Sequence, residues 1–243
     1  MKVAMFSAGV SSMCALLLAK NVDHILYTHI DDQHEDTLRY VHDCEHYLQR
    51  PVEILQSPYK TVDAVVRQFG YINGPGGAKC TGVLKRRVRK EWERSIKEPI
   101  TYVWGYDTDE IHRAERVIEA MPQYGHEFPL IDKIITKREA HGMLQKTGIR
   151  RPYMYELGYP NNNCVGCVKG GMGYWNHIRK DFPMKFKQRA ELERDIGHSC
   201  INGVWLDELD PERGDKEIEV FPECGIACEI AWAGQIERSE PNG

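Results

Sequence analysis

Short apolar runs alternate with segments of helical periodicity along the first half of the chain. Runs rich in β-branched or aromatic residues occupy positions 2–6, 24–30, 51–56 and 100–105. The first three runs are separated by SSMCALLLAK and DTLRYVHDCEHYLQR, whose apolar residues recur at helical spacing. This alternation predicts βαβ units, and therefore an α/β fold with a doubly wound parallel sheet and helices on both faces. Ligands of such sheets bind at the carboxyl ends of the strands.

The pattern changes after about residue 125. The segment PLIDKIITKREAHGMLQKTGI predicts a loop and one helix that ends at a glycine, and a second helix is predicted from about Tyr174 to Phe182. Irregular acidic segments follow Arg194. We therefore expect two parts, an α/β domain over 1–125 and a helical and irregular C-terminal region over 126–243.

Composition narrows the class of protein. The 243 residues are 42% hydrophobic and 28% charged, which is typical of a globular protein, and the net charge is −4. Nucleic acid would have to meet a local basic patch, because this net charge does not attract it. The chain has no 18-residue apolar run and no signal-peptide pattern, so we expect a cytoplasmic protein without a membrane partner. In a reducing compartment its eight cysteines are expected to be thiols or metal ligands.

The first predicted strand runs directly into the turn Ser7–Ser12, with the sequence SAGVSS, and then into a helix. A turn of small residues at a helix N-terminus presents backbone N–H groups and the positive end of the helix dipole, which together suit a phosphate. The same pattern also fits an ordinary strand-to-helix turn that is capped by serine.

Cysteines supply the second candidate chemistry. Cys164 and Cys167 form a CxxC pair in NNNCVGCVKGG, which suits a zinc ion, an iron-sulfur cluster or a redox dithiol. The pair alone does not decide among them, because a metal site needs three or four ligands. Cys80 precedes the basic run LKRRVRK at 84–90, which is either a solvated helix face or a surface for phosphate.

Four motifs in chain order resemble the sulfonucleotide reductase (PAPS reductase) branch of the adenine-nucleotide α-hydrolase-like, or PP-loop, superfamily. MFSAGVSS is similar to the pyrophosphate loop SGGxDS, and HIDDQHEDTLRYV to the segment that lies near the nucleoside. WGYDTDEIHRAER resembles the motif GxRxxESxxR. The longest match, FPLIDKIITKREAHGMLQKTGIRRPYMYELGYPNNNCVGC, looks like the family segment that leads directly to a cysteine pair.

The resemblance implies an adenine-nucleotide site in the first domain. Its residues would be Ser7, Ala8, Gly9, Ser11, Ser12, Asp31, Gly105 and Arg113. The chain departs from the family at several motif positions, among them Arg113, one residue short of the last arginine position, and Ala227, which replaces the histidine of the C-terminal motif. Ala8 replaces the first glycine, Ser11 stands where the pyrophosphatases have aspartate, and Asp107 takes the usual position of the first arginine. One phosphate or sulfate contact is therefore lost, or moved to Arg113, Arg116 or the basic helix.

The resemblance also implies a 4Fe-4S cluster, with an all-cysteine zinc site as the alternative. Cys80, Cys164 and Cys167 would be three of its ligands. The phrase Glu223–Ile226 resembles the C-terminal ECG-[IL]-H motif, whose cysteine attacks the sulfur of the bound substrate. Cys224 is then the catalytic nucleophile with Cys228 as the fourth ligand, or Cys224 itself closes the cluster. Lys85, close to Cys80, is the second catalytic candidate.

Three functions are compatible with these motifs. The first is a PAPS or APS reductase-like oxidoreductase of sulfur metabolism that uses a thioredoxin-like reductant. The second is an ATP-dependent sulfur transferase that modifies tRNA or DNA. The third is a non-catalytic nucleotide-binding sensor. A homo-oligomer is compatible with each of them.

Overall fold

The computed structural model describes residues 1–74 and 77–214. Its centre is a parallel sheet of five strands in the order β3-β2-β1-β4-β5. The strands are β1 (Lys2–Phe6), β2 (His24–His29), β3 (Glu53–Gln56), β4 (Thr101–Val103) and β5 (Gly125–Glu127). The predicted α/β fold with a parallel sheet is therefore confirmed. The first four strands lie within the four apolar runs of the sequence.

Ten α-helices and three short turns of helix connect and cover these strands in the described part of the chain. The helices are α1 (Val10–Leu18), α2 (Asp36–Leu48), α3 (Val62–Phe69), α4 (Arg87–Glu93), α5 (Ile111–Ala120), α6 (Pro129–Asp132), α7 (Lys137–Lys146), α8 (Tyr153–Glu156), α9 (Met172–Asp181) and α10 (Pro183–Ile196). A π-helical turn spans Thr81–Arg86, and 3-10 turns span Thr108–Glu110 and Leu206–Glu208. No helix of the described residues is both long and apolar enough to cross a bilayer.

Both faces of the sheet are covered, because alternate side chains along each strand point to opposite sides. Ala4 and Phe6 of β1 pack with apolar side chains of α1, α2 and α7 in one core. Val3 of the same strand packs with Ala114 and Val117 of α5 in another core. This two-sided packing is compatible with a doubly wound sheet.

A third core lies outside these two and contains the cysteine residues of interest. It includes buried side chains of α3, the π-helical turn, α9, α10 and the segment after α10, with Trp175 at 0% exposure. The boundary at 125/126 stays a prediction, and the packing crosses it. β5 begins at Gly125 and belongs to the sheet, and Ala140 of α7 packs in the same core as α1.

Candidate nucleotide and cysteine site

The turn Ser7–Ser12 is closed around one hydroxyl group. The backbone N–H groups of Ser7 and Gly9 donate to Ser12 Oγ at 3.2 and 3.3 Å, and this hydroxyl donates to the carbonyl of Gly9 at 2.9 Å. Ala8 is fully buried and has a φ of 57°, in the left-handed region that most residues avoid. Backbone donors that converge on one oxygen at the start of a helix are the arrangement that binds an oxyanion.

Sheet topology makes this turn the expected ligand site. From β1 the chain proceeds outward to β2 and β3, and it then returns to form β4 on the other side of β1. A crevice opens where successive connections leave in opposite directions, and ligands of doubly wound sheets bind there. The turn Ser7–Ser12 follows β1, and Gly105 follows β4. The turn and Gly105, both predicted to belong to the site, therefore flank the switch point.

Gly105 touches the turn directly. A Cβ atom at this position would lie 2.4 Å from Cα of Ser12 and 2.7 Å from its backbone nitrogen. Both of these atoms are backbone, so no side-chain rotation relieves the contact. Glycine is therefore required at the end of β4 for the turn to keep its position.

Asp107 brings a carboxylate to the same turn. Ser11 Oγ donates to Asp107 Oδ2 at 3.3 Å, and the residue is 2% exposed. Burial raises the pKa of Asp107, while the positive charge of Lys137 opposes that rise. A carboxylate from the segment after β4 thus lies beside Ser11 of the turn.

Arg113, which the sequence predicts as a phosphate ligand, is buried against neighbouring side chains. It is 1% exposed, forms an ion pair with Glu110 and has its guanidinium carbon 4.6 Å from the ring centroid of Tyr106. These contacts hold α5 against the end of β4. They give Arg113 a packing role, and its part in nucleotide binding stays a prediction.

Two adjacent aspartates after β2 have different environments. The side chain of Asp31 is 43% exposed and accepts a hydrogen bond from Gln56 Nε2 at 2.6 Å. The side chain of Asp32 is fully buried and accepts from the backbone N–H of Val62 at 2.6 Å. Asp31 is therefore available to a ligand, and Asp32 is a structural anchor that the sequence reading missed.

The CxxC loop is attached to the strand ends of the sheet. Val165 N–H donates to the carbonyl of Asp32 at 2.8 Å, and Cys164 pairs with Gln33 in an antiparallel bridge. Asn162 Nδ2 donates to the carbonyl of Ala8 at 2.8 Å. The cysteine loop and the candidate phosphate turn are thereby joined through one side chain.

Tyr174 holds the two ends of the CxxC pair together. Its hydroxyl accepts from the N–H of Cys167 at 2.8 Å and donates to the carbonyl of Cys164 at 3.1 Å. Burial raises the pKa of Tyr174 well above its usual range, so the hydroxyl keeps its proton. Gly166, between the two cysteines, has a φ of 71° and lies against the ring of Trp175. These contacts hold the loop in one conformation.

Four cysteines belong to the third core or border it. Cys80 and Cys167 are each 8% exposed, Cys200 is 7% exposed, and the half-buried Cys164 packs against this core. Cys80, Cys164 and Cys167 are the three ligands expected from the sequence. Cys200 was not expected, because the motifs direct attention to the later cysteines.

Cysteine thiolates are ligands of both zinc and iron-sulfur clusters. Within residues 1–74 and 77–214, no three His, Cys, Asp or Glu side chains are arranged so that they could hold one metal ion. Thiolates around a zinc ion, at about 2.3 Å from the metal, must lie within about 4 Å of one another. The four cysteines of a 4Fe-4S cluster bind different iron atoms and are therefore spread further apart.

Lys85 and the basic run begin one turn of helix after Cys80. Lys85 is half-buried in the π-helical turn Thr81–Arg86. Arg89 turns away from solvent, forms an ion pair with Glu93 at 3.0 Å and is 3% exposed. The run is therefore not one continuous basic surface, since part of it serves packing against the sheet. Cys224 and Cys228, the predicted nucleophile and fourth ligand, lie outside the described residues.

Comparison of the chain with models of protein families and with curated proteins finds no match. The functional interpretation rests on the contacts described above and on the motifs of the sequence.

Proposed function

We propose that this protein is an enzyme of the sulfonucleotide-reductase type, which binds PAPS or APS and carries a 4Fe-4S cluster. One observation supports it most directly. Asn162 Nδ2 donates to the carbonyl of Ala8 at 2.8 Å, and Asn162 stands two residues before Cys164. The side chain that buttresses the phosphate turn is thus part of the cysteine loop, which favours a nucleotide and a thiolate site that work together.

The phosphate groups of the nucleotide would bind at the turn Ser7–Ser12. Their oxygens would replace Ser12 Oγ as the acceptor of the N–H groups of Ser7 and Gly9, which converge on that hydroxyl. Asp31, exposed after β2, would face the nucleoside. Lys85, half-buried beside Cys80, would supply the positive charge for the phosphate or sulfate group.

The cluster would be held by Cys80, Cys164 and Cys167 with one further ligand. A cluster with four protein ligands would supply structural support and an electrostatic field beside the nucleotide. This chain's own residues prepare its position, since Tyr174 fixes the CxxC loop and Trp175 packs behind Gly166.

The proposed reaction uses Cys224 as its nucleophile. Its thiolate attacks the sulfur atom of the sulfonucleotide, so that a bond from Sγ to that sulfur forms and the bond from the sulfur to the phosphate oxygen breaks. The nucleotide leaves with the electron pair of the broken bond. A thioredoxin-like dithiol then attacks Sγ of Cys224 and releases sulfite, and its second thiol resolves the mixed disulfide. The dithiol is oxidised to a disulfide, and the sulfur of the substrate is reduced to sulfite.

Sulfite formation tests this function. The anaerobically purified full chain is incubated with labelled PAPS or APS and reduced thioredoxin, and labelled sulfite is measured. We expect turnover with one of the two nucleotides and at least a thousandfold loss in Cys224→Ser. Cys14→Ser removes a thiol from the buried face of α1 and is the matched control, with turnover retained. Absence of sulfite with both nucleotides would reject the function.

Asp107 favours a second candidate, an ATP-dependent sulfur transferase. Its carboxylate lies 3.3 Å from Ser11 Oγ, and position 11 is where the related pyrophosphatases carry their aspartate. An acid at this place suits Mg²⁺ bound to the phosphates of ATP. The test is ATP consumption that requires tRNA or DNA and is lost in Asp107→Asn. ATP consumption without sulfite formation would select this candidate over the first.

A further inference from the structure

Lys137, the first residue of α7, is a half-buried cation at the strand ends of the sheet. The backbone N–H of Thr108 donates to the carbonyl of Ile135 at 3.2 Å, so the segment after β4 is bonded to the chain just before α7. Asp107 precedes Thr108 and lies beside Ser11 of the phosphate turn. Helix α7 therefore begins next to the crevice in which the nucleotide is proposed to bind.

The ammonium group of Lys137 is placed beside the phosphate turn by two connections. Its Nζ donates to Oδ1 of the buried Asn161 at 2.5 Å. The next residue, Asn162, donates to the carbonyl of Ala8 in the turn at 2.8 Å. The positive charge of Lys137 also acts on the carboxylate of Asp107, on the other side of the turn. The cation thus lies between the cysteine loop and the segment after β4.

The ammonium group keeps hydrogen-bonding capacity for a ligand. It has three N–H donors. Among the residues that the structure describes, Asn161 is its hydrogen-bond acceptor, and no carboxylate is paired directly with it. The side chain is only half-buried, so a ligand that enters from solvent can reach it. Two donors therefore remain for the oxygens of an anionic group.

Helix stability does not explain a lysine at this position. Lys137 directly follows the N-cap residue Thr136, in the first turn of α7. The first turn carries the positive end of the helix dipole, which favours acidic side chains and opposes a cation. Glu139 is the acid that serves this turn, and it completes the capping box with Thr136. An anion bound beside Lys137 would remove the unfavourable interaction.

The carboxylate of Asp107 makes a cation necessary at this turn. Its Oδ2 accepts from Ser11 Oγ at 3.3 Å, so an ionised Asp107 would repel a phosphate bound there. Burial raises the pKa of Asp107 and the charge of Lys137 opposes that rise, which shows that the lysine favours the ionised carboxylate. The same positive charge offsets the repulsion between this carboxylate and a phosphate.

We propose that Lys137 binds the nucleotide by donating to an oxygen of the phosphate that is held on the turn Ser7–Ser12. The inference rests on the proposed function for the presence of a nucleotide. A hydrogen bond between an ammonium group and a phosphate oxygen is charge-assisted, and it is stronger than one between neutral groups. Asn161 then orients the ammonium group through its carbonyl oxygen.

Nucleotide affinity of single variants tests this role. The full chain, Lys137→Gln, Lys137→Arg and Lys146→Gln are titrated calorimetrically with AMP and with adenosine 3′,5′-bisphosphate, the nucleotides that APS and PAPS would release. Adenosine is the probe without phosphate. Lys137→Gln should weaken nucleotide binding by about tenfold or more, because a charge-assisted hydrogen bond is lost. Lys137→Arg keeps the charge and should bind more tightly than Lys137→Gln. Lys146→Gln, at the exposed end of α7, should match the unaltered chain, and adenosine should bind equally to all four.

Two results would overturn the role of Lys137. One is equal nucleotide affinity in Lys137→Gln and the unaltered chain. The other is an equal loss for adenosine and for the nucleotides, because the lysine would then support the shape of the site instead of binding phosphate. Nucleotide binding that depends on Lys137 without any sulfite formation would reject the reductase and leave the phosphate contact intact. Far-ultraviolet circular dichroism checks that the variants fold.

Chemical labelling of the unaltered chain gives an answer that needs no variant. Lysines are acetylated with an activated ester, and the rate at each lysine is measured by mass spectrometry with and without AMP or adenosine 3′,5′-bisphosphate. With the nucleotide at about ten times its Kd, acetylation of Lys137 should slow by about tenfold. The rate at Lys146 should stay unchanged. An equal rate at Lys137 in both states would contradict the contact.

Discussion

Gly105 and Ser12 lie in direct backbone contact, since a Cβ atom on Gly105 would be 2.4 Å from Cα of Ser12. We predict that Gly105→Ala lowers the free energy of unfolding by about 1–3 kcal/mol, because the added methyl group must displace backbone. The turn Ser7–Ser12 moves with Ser12, so nucleotide affinity should fall as well. Urea unfolding and calorimetric titration with the nucleotide measure the two effects.

Gly142→Ala is the matched control for this change. Gly142 lies inside α7, and no atom is within 4 Å of the Cβ position. Alanine should be neutral or stabilise the helix by up to about 1 kcal/mol. If Gly105→Ala and Gly142→Ala have the same stability and nucleotide affinity, the contact between Gly105 and the turn does not stabilise the turn.

Asp32 and Asp31 should respond differently to the same substitution. The carboxylate of Asp32 is buried, with Lys185 Nζ at 2.5 Å and Arg189 Nη2 at 3.6 Å. Asp32→Asn removes the carboxylate that pairs with Lys185 and one of the two that face Arg189, while Asp63 remains. We therefore predict a loss of about 1.5–3 kcal/mol in the free energy of unfolding. Chemical unfolding monitored by tryptophan fluorescence measures it.

Asp31→Asn is the control at the neighbouring position. Its side chain is 43% exposed, so the free energy of unfolding should change by no more than about 0.5 kcal/mol. Nucleotide affinity should fall instead, because Asp31 is the acid proposed to face the nucleoside. A large loss of stability in Asp31→Asn would contradict this division of roles.

The difference between these two aspartates shows where sequence reasoning stops. The strand β1, the turn Ser7–Ser12 and α1 are predictable because they are continuous in sequence and apolar at the right spacing. The residues of Asp31-Asp32 are chemically identical, and only the packing of α3 and α10 buries one of them. The local sequence therefore contains no signal that tells which of the two aspartates is buried.

Cys200 and β5 were missed for a related reason. Cys200 becomes a candidate only when α10 folds back and Glu193 binds its N–H group. β5 has three residues, Gly125–Glu127, and its place at the sheet edge comes from pairing with β4 rather than from an apolar run. Helix α10 was not predicted either, although its sequence carries the signals of both helix ends. Pro183 begins the helix and Gly197 ends it.

Asp107 should make stability depend on pH. Burial raises its pKa above the usual carboxyl range, with Lys137 in opposition, so the folded state holds the proton more tightly than the unfolded state. Its ionisation therefore costs stability as the pH rises from the ordinary carboxyl pKa through the raised one. Asp107→Asn should be more stable than the unaltered chain at pH 7, and the difference should shrink towards pH 4. Thermal unfolding across this range measures it.

Glu119→Gln provides the comparison, because Glu119 is an exposed carboxylate on α5. Its stability relative to the unaltered chain should stay within about 0.5 kcal/mol at each pH. A stability gain in Asp107→Asn that is constant from pH 4 to pH 7 would show that burial of the charge is not its cause.

Glu193 should stabilise the segment that follows α10. Glu193→Gln leaves one oxygen for two buried N–H donors, those of Cys200 and Leu206. We predict a loss of about 1–3 kcal/mol in the free energy of unfolding. Urea unfolding measures it. Glu191→Gln, on the exposed side of the same helix, should leave the free energy of unfolding unchanged.

Asn162 should couple the phosphate turn to the cysteine loop. Its Nδ2 donates to the carbonyl of Ala8, and its Oδ1 accepts from Thr37 Oγ1 at 3.4 Å. Loss of one such hydrogen bond is worth about 1 kcal/mol, so Asn162→Ala should weaken nucleotide binding about fivefold and leave the iron content unchanged. Asn202→Ala, at an exposed turn, should leave both unchanged. If Asn162→Ala keeps full nucleotide affinity, the hydrogen bond to Ala8 does not position the turn. It would then not couple the phosphate turn to the cysteine loop.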